Sequence, residues 1–310
     1  MSLLHKLLIG SVAAGVATSP LFAQETAGGP ECLLELSVDN NVDWRGQLGR
    51  GYEVFSGEES YEVVSVVVRH QGQACDYFLT GMPQEGGNEN LLTGPYGALA
   101  YDVLRQPSGP SLLSPDYAGN ELTRLYGRFP DGAGAQQYVL YVAIPPEQNV
   151  GGGIYSDQVQ LRVFADHFGS PELMDQASFA ITAPVADTLE VDSIDAGPGA
   201  NTLKIDLGNL APGVVRVLDF SLRSNAPIRV GANSQNKGFL AHQASAPGIP
   251  YSLVVGGNRI DLSSNRLTQA MAGDLSNRTI VPFRIEVEPN YGAAAGTYSD
   301  VLTITFQVDG

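Results

Sequence analysis

Basic residues are scarce in this chain. Its 17 Lys and Arg stand against 33 Asp and Glu, a formal net charge of −16. A surface of that sign repels phosphate backbones and anionic lipid, which argues against nucleic acid and membrane surfaces as partners. Histidine is rarer: besides His5 near the amino terminus there are only His70, His167 and His242, far apart and without metal-ligand spacing. Asp39-Asn-Asn-Val-Asp43 has the beginning of a calcium loop, but Trp44 stands where that loop needs Gly and Arg50 where it needs Glu. No Gly-x-Ser-x-Gly, phosphate-binding loop or dinucleotide fingerprint occurs. The chain therefore offers no catalytic residue, no metal ligand set and no cofactor site, and it is read as non-enzymatic. Past the leader, no stretch reaches the roughly 18 apolar residues that a membrane-spanning helix needs, so no membrane insertion is expected.

Cysteine is limited to Cys32 and Cys75. Their redox state depends on compartment, and residues 1–23 give it. His5 and Lys6 precede an apolar run from Leu7 to Ala17, followed by Pro20 and Ala23, the order of a cleaved secretory signal peptide. In an oxidising compartment the two cysteines are expected to form one disulfide, the alternative being two buried free thiols. What remains after the leader exceeds the usual single-core size of about 100–150 residues, so two domains are expected.

Glycine (36) and proline (19) are abundant and separate short runs of alternating apolar residues, the pattern of strands and turns in an all-β chain. The clearest runs are Glu62 to Arg69, Gln137 to Ile144, Ser156 to Phe164, Val214 to Leu222, Ile280 to Val287 and Asp300 to Val308. In the last, Leu302, Ile304, Phe306 and Val308 alternate with Thr303, Thr305 and Gln307, as in a half-buried antiparallel strand. A helical turn is expected only around Leu267 to Ala272.

The two halves repeat each other. Gly153-Ile-Tyr155-Ser156-Asp157 leads into one strand and Gly296-Thr-Tyr298-Ser299-Asp300 into another. Pro146 and Pro289 keep the same spacing. Tyr101 and Tyr251 sit in a second matched pair of strands, and Val66 to Arg69 matches Phe220 to Arg223. Matches in one order imply duplication of a whole domain. The expected division is 31–166, a polar connector at 167–177, and 178–310, with residues 178–184 either closing the first unit or opening the second. In the repeated motif, glycine permits a tight turn, Tyr buries its ring while its hydroxyl reaches backbone, and Ser-Asp satisfies nearby amides. The motif is read as a structural corner. Two irregular loops, Gly81 to Gly97 and Gln106 to Gly127, carry Met82, Leu91, Leu92, Tyr96, Leu112, Leu113 and Tyr117. These side chains either contact an external surface or tuck beneath the loops as core.

With these residues in view, the chain resembles the spore coat protein U domain family, which includes subunits of archaic, Csu-type chaperone-usher pili. Ala295-Gly-Thr-Tyr-Ser-Asp-Val-Leu-Thr-Ile-Thr-Phe306, its counterpart Gly153 to Phe164, the strands at Tyr101 and Tyr251, and Cys32 carry the likeness. The second half departs from the pattern in having no cysteine. The resemblance implies tandem immunoglobulin-like, pilin-type sandwiches, the second lacking its last strand. A periplasmic chaperone, and after passage through an usher an adjacent pilin subunit, would then supply that strand. Gln24 to Pro30 has none of the apolar alternation of a donor strand. A unit that receives a strand without giving one implies a pilus-tip adhesin for surface attachment and biofilm formation, exported through the periplasm to the cell surface, with an unknown surface or receptor ligand. The alternative is a free-standing secreted binding or spore-coat-like structural protein with two complete sandwiches.

Overall fold

The computed structural model describes residues 31–84, 89–167, 170–197, 201–244, 246–264, 266–267, 269–271 and 277–309. The expected leader, 1–23, and the stretch Gln24 to Pro30 lie outside the described residues.

The first sandwich is built from β1 (Leu33–Val38), β2 (Asn41–Asp43), β3 (Tyr61–Gln71), β4 (Cys75–Pro83), β5 (Leu91–Gly94), β6 (Gly97–Ala100), β7 (Asp102–Leu104), β8 (Leu125–Phe129), β9 (Gly134–Ala143), β10 (Gly153–His167) and β11 (Ser170–Val185). One sheet has the order β1-β3-β9-β7 and the other β2-β11-β10-β4-β8, with the β5–β6 hairpin attached to β10. This is the A-B-E-D and G-F-C pairing of immunoglobulin-like sandwiches. Period-two alternation places the core between the sheets. Val64, Val66 and Val68 on β3, Leu140 and Val142 on β9, and Val159, Leu161 and Val163 on β10 are all fully buried there.

The second sandwich follows the same plan with β12 (Leu189–Ser193), β13 (Val214–Ser224), β14 (Ile228–Ser234), β15 (Phe239–His242), β16 (Ile249–Val255), β17 (Asn258–Ile260), β18 (Gln269–Met271), β19 (Thr279–Val287), β20 (Tyr298–Ser299) and β21 (Leu302–Val308). Its first sheet runs β12-β13-β19-β16-β15-β20, with β17 on β16, so β12-β13-β19-β16 reproduces β1-β3-β9-β7. The second sheet is only β18-β14-β21. A separate core forms around Leu218, Leu222, Val230, Leu253, Phe283 and Ile285.

Two expectations need correction. Residues 167–177 are not a connector: β10 and β11 form one long antiparallel hairpin, paired from Gly153 opposite Val185 to His167 opposite Ser170 with a register shift between Val163 and Phe164. Residues 178–184 therefore close the first sandwich, with Phe179, Ile181, Ala183 and Val185 buried in its core. The hairpin end is polar because it is largely solvated, and polarity alone does not distinguish such a strand from a loop. The helical turn expected around Leu267 to Ala272 is also absent where described, since Gln269–Met271 pairs antiparallel with β14 as β18; Ala272 itself lies outside the described residues.

Candidate functional site

The repeated motif occupies the same place in both sandwiches, at the entrance to the strand corresponding to F. Tyr155 donates its hydroxyl to Gly151 O at 2.8 Å, and Tyr298 donates to Ala294 O at 2.9 Å. A tyrosine at the start of strand F that bonds backbone a few residues upstream is a tyrosine corner. Gly153 and Gly296 have φ of 156° and 150°. A Cβ on them would meet Pro95 and His242, respectively. The aspartates tie the two sheets together: Tyr101 donates to Asp157 Oδ2 at 2.7 Å, and Tyr251 to Asp300 Oδ2 at 2.6 Å. Asp300 also accepts from Ser234 Oγ and from the Asn236 amide, whereas Asp157 is nearly inaccessible. Burial first, then the adjoining carboxylate, holds the Tyr101 and Tyr251 hydroxyls well above the usual phenol range. Ser156 and Ser299 lie on the outward side of these strands.

Beyond these shared features the sandwiches diverge at one edge. In the first, β10 is paired on both sides, with β4 at Leu161 opposite Gly81 and with β11 at Leu161 opposite Ala177. In the second, β21 pairs with β14, with Ile304 opposite Ala232 and Phe306 opposite Val230. Its other edge pairs with no strand among the described residues. The consequence appears in burial: Val159, Leu161 and Val163 are at 0 % exposure, while Leu302, Ile304, Phe306 and Val308 are only partly buried. All four pack against the second core, as do Ile205 and Leu207 from a stretch that belongs to no strand. A sheet edge with unpaired backbone groups above a partly exposed apolar row is a template for strand addition.

The loop residues fare differently from one another. Leu92 and Leu112 are fully buried and Leu113 nearly so, all in the first core. They are therefore not available as adhesive contacts. The reason is local pairing: Leu112 N donates to Val103 O, Gly81 N to Leu112 O and Ser114 N to Gly81 O, which docks this segment beside β4 and β7. Met82 and Leu91 are intermediate, and only Tyr96 and Tyr117 are freely exposed. Residues 85–88 of the first loop lie outside the described residues. Sequence reasoning missed a cluster beneath the second loop, where Phe78 and Phe164 are buried but belong to neither core. Aromatic residues flanking the alternating core positions of β4 and β10 were its signal.

Cys32 and Cys75 form a disulfide that joins β4 to the residue before β1. His70 lies beside it, bonded through Nε2 to Gln73 O at 2.8 Å. His242 packs against Tyr298, and His167 is the last residue of β10.

No protein-family model and no curated protein matches the chain. Among solved structures, it is similar to that of the chaperone–tip adhesion subunit pre-assembly complex from archaic Csu pili of Acinetobacter baumannii, with 14% identity and a TM-score of 0.40, covering 88% of this chain and 100% of that one. The CupB6 tip adhesin from Pseudomonas aeruginosa gives 12% identity and a TM-score of 0.41, covering 89% and 97%. CfaE, the adhesive subunit of CFA/I fimbria of enterotoxigenic Escherichia coli, gives 12% and 0.37, covering 87% and 92%. With these TM-scores all below 0.5, what the second sandwich can do is read from its own open edge.

Proposed function

We propose that the chain is a non-enzymatic pilus-tip adhesin whose second sandwich, residues 189–309, is completed by a β-strand from another polypeptide, while the first, residues 31–185, carries the ligand-binding surface. The observation that carries this reading is internal to the molecule: β11 fills the edge of the first sandwich, and the matching edge of β21 is open among the described residues. An open edge of this kind favours aggregation unless a partner covers it. Completing the burial of Leu302, Ile304, Phe306 and Val308 would contribute on the order of a few kcal/mol, beyond the hydrogen bonds of the new ladder. Before assembly the partner would be a periplasmic chaperone. On the pilus it would be the strand of an adjacent subunit delivered through an usher, which places the chain at the cell surface in attachment and biofilm formation.

The first sandwich indicates what such a strand looks like. Phe179, Ile181, Ala183 and Val185 stand opposite Val159, Asp157, Tyr155 and Gly153, whose counterparts by the repeat are Leu302, Asp300, Tyr298 and Gly296. A synthetic peptide of residues 176–187 should therefore bind the full-length chain and raise a low-temperature unfolding transition belonging to the second sandwich. At a peptide concentration of 100 Kd the gain is about 2.7 kcal/mol. A second sandwich that already unfolds cooperatively at high temperature, and ignores the peptide, would sink the assignment and leave a self-sufficient secreted binder.

A further inference from the structure

The outer face of the sheet formed by β10, β4 and β8 carries a second apolar layer. Cross-strand register puts Phe164 beside Phe78 and Phe78 beside Tyr126. The rings of Phe78 and Phe164 stack with centroids 5.1 Å apart, Tyr126 tilts onto Phe78 at 5.9 Å, and Tyr117 meets Phe164 edge-on at 5.7 Å. Two guanidinium groups lie on these faces, Arg124 at 4.2 Å over Phe78 and Arg162 at 4.5 Å over Tyr117.

The charges in this layer are unusual for so acidic a chain. Arg105 donates to Arg124 O and Leu122 O at 2.6 and 2.9 Å. Arg124 donates to Ala118 O and Gly119 O at 3.0 and 3.3 Å. Arg162 donates to Tyr117 O at 3.1 Å and from Nε to Gln160 Oε1 at 3.0 Å. Each of these acceptors is neutral, and Arg105 Nε is buried with no partner. Arg128, Arg229, Arg278 and Arg284 all pair with carboxylates instead. Among the described residues, therefore, the three arginines of this strap are partly or largely buried without a counter-ion, whereas these four, more exposed, have one. Burying a charge without a counter-ion costs free energy that an anion would offset. Directly beside them Tyr117 and Tyr126 are 58% and 50% exposed.

We propose that this arginine–tyrosine strap binds a carboxylated saccharide, its carboxylate taken by the guanidinium groups and its sugar ring laid on the exposed tyrosines. Guanidinium matches carboxylate in charge and fork geometry. The electron-rich ring face favours the positively polarised C–H face of a sugar. The net charge of −16 disfavours a densely charged polymer such as duplex DNA, with its charge every ~1.7 Å, and leaves this local basic spot for a ligand of sparse charge. The inference rests on the first sandwich being the ligand-binding half.

The test is calorimetric titration of the full-length chain with an oligogalacturonate, its neutral methyl ester and an oligoglutamate peptide. The acid sugar should bind, with the ester at least about tenfold weaker, a loss typical of one charge-assisted contact. Tyr117→Ala and Tyr126→Ala should each weaken the acid by about three- to tenfold, while Tyr96→Ala, on an exposed ring elsewhere, should leave it unchanged. Unaltered thermal unfolding of the first sandwich would confirm that the variants fold. Equal binding of acid and ester, no binding of either, or affinity that survives both tyrosine changes would overturn the proposal. Oligoglutamate binding as tightly as the sugar would replace the saccharide with an acidic peptide. Uptake of the 176–187 peptide, measured on the same samples, separates these outcomes from failure of the strand-acceptor reading.

Discussion

The two sandwiches are the same fold with one strand of difference. In both, a tyrosine corner opens strand F, an aspartate from that strand ties to a tyrosine on the facing sheet, and β12-β13-β19-β16 reproduces β1-β3-β9-β7. In the first, β11 then returns along β10 and drives its inward residues to full burial; in the second, β21 stands at the sheet's edge with its inward residues partly exposed. The first sandwich thus serves as an internal control for the second. It shows how much burial the shared architecture reaches when the last strand is present.

The most severe way to test that contrast is to place a charge where the strand packs. Ile181→Asp puts a carboxylate at a fully buried position of β11, and the first sandwich should lose more than about 4 kcal/mol, enough to abolish its urea transition. Ile304→Asp, at a partly exposed position of β21, should cost the isolated chain only about 1–2 kcal/mol yet abolish uptake of the 176–187 peptide. Equal losses from the two changes would mean that the edges are equally covered and would remove the contrast.

A smaller effect should come from the disulfide, present in the first sandwich alone. Cys32→Ala with Cys75→Ala opens a closure of 43 residues, worth at most roughly 4 kcal/mol and more commonly 2–4. The lower-stability transition of the second sandwich should not move. A shift of both transitions in calorimetry would show that the sandwiches unfold as one unit.

Much of this contrast was legible in the sequence. The repeated Gly-x-Tyr-Ser-Asp located both F strands, because a turn, a buried ring and a strand start constrain residue type locally. The clear alternating runs became β3, β9, β10, β13, β19 and β21 for the same reason. The strand that completes the first sandwich was hidden because its leading half, from Ser170, is exposed or only partly buried and carries Glu172, Asp175 and Gln176. Only the alternation of Phe179, Ile181, Ala183 and Val185 marked it. Loop leucines could not be sorted from sequence: Leu112 and Leu113 are buried where Leu112 and Ser114 hydrogen-bond to Val103 and Gly81 on two other strands, while Tyr117 on the same loop stays exposed. The arginines of the strap were equally opaque, since which arginines of the chain meet carboxylates is decided by the folded surface.

The gentlest comparison is by alkaline titration. Burial, as the leading cause, raises the phenols of Tyr52, Tyr77, Tyr101 and Tyr155 in the first sandwich and Tyr251 in the second. A proton held more tightly in the folded state than in the unfolded one stabilises the fold below the unfolded phenol value, about 10, and that contribution is lost as pH rises above it. Both sandwiches should therefore hold their stability up to about pH 10 and lose it beyond, the first more steeply because more such phenols belong to it. Tyr101→Phe should flatten the first transition's alkaline fall and Tyr251→Phe the second's. At neutral pH each should cost about 1 kcal/mol, and Tyr101→Phe more, because water cannot readily replace the lost hydroxyl at the almost inaccessible Asp157, which keeps the Gln158 amide, whereas the more accessible Asp300 keeps Ser234 and Asn236. Thermal unfolding followed from pH 7 to pH 11 reads both effects. An alkaline loss that is equally steep in the two transitions would mean that these tyrosines do not distinguish the complete sandwich from the open one.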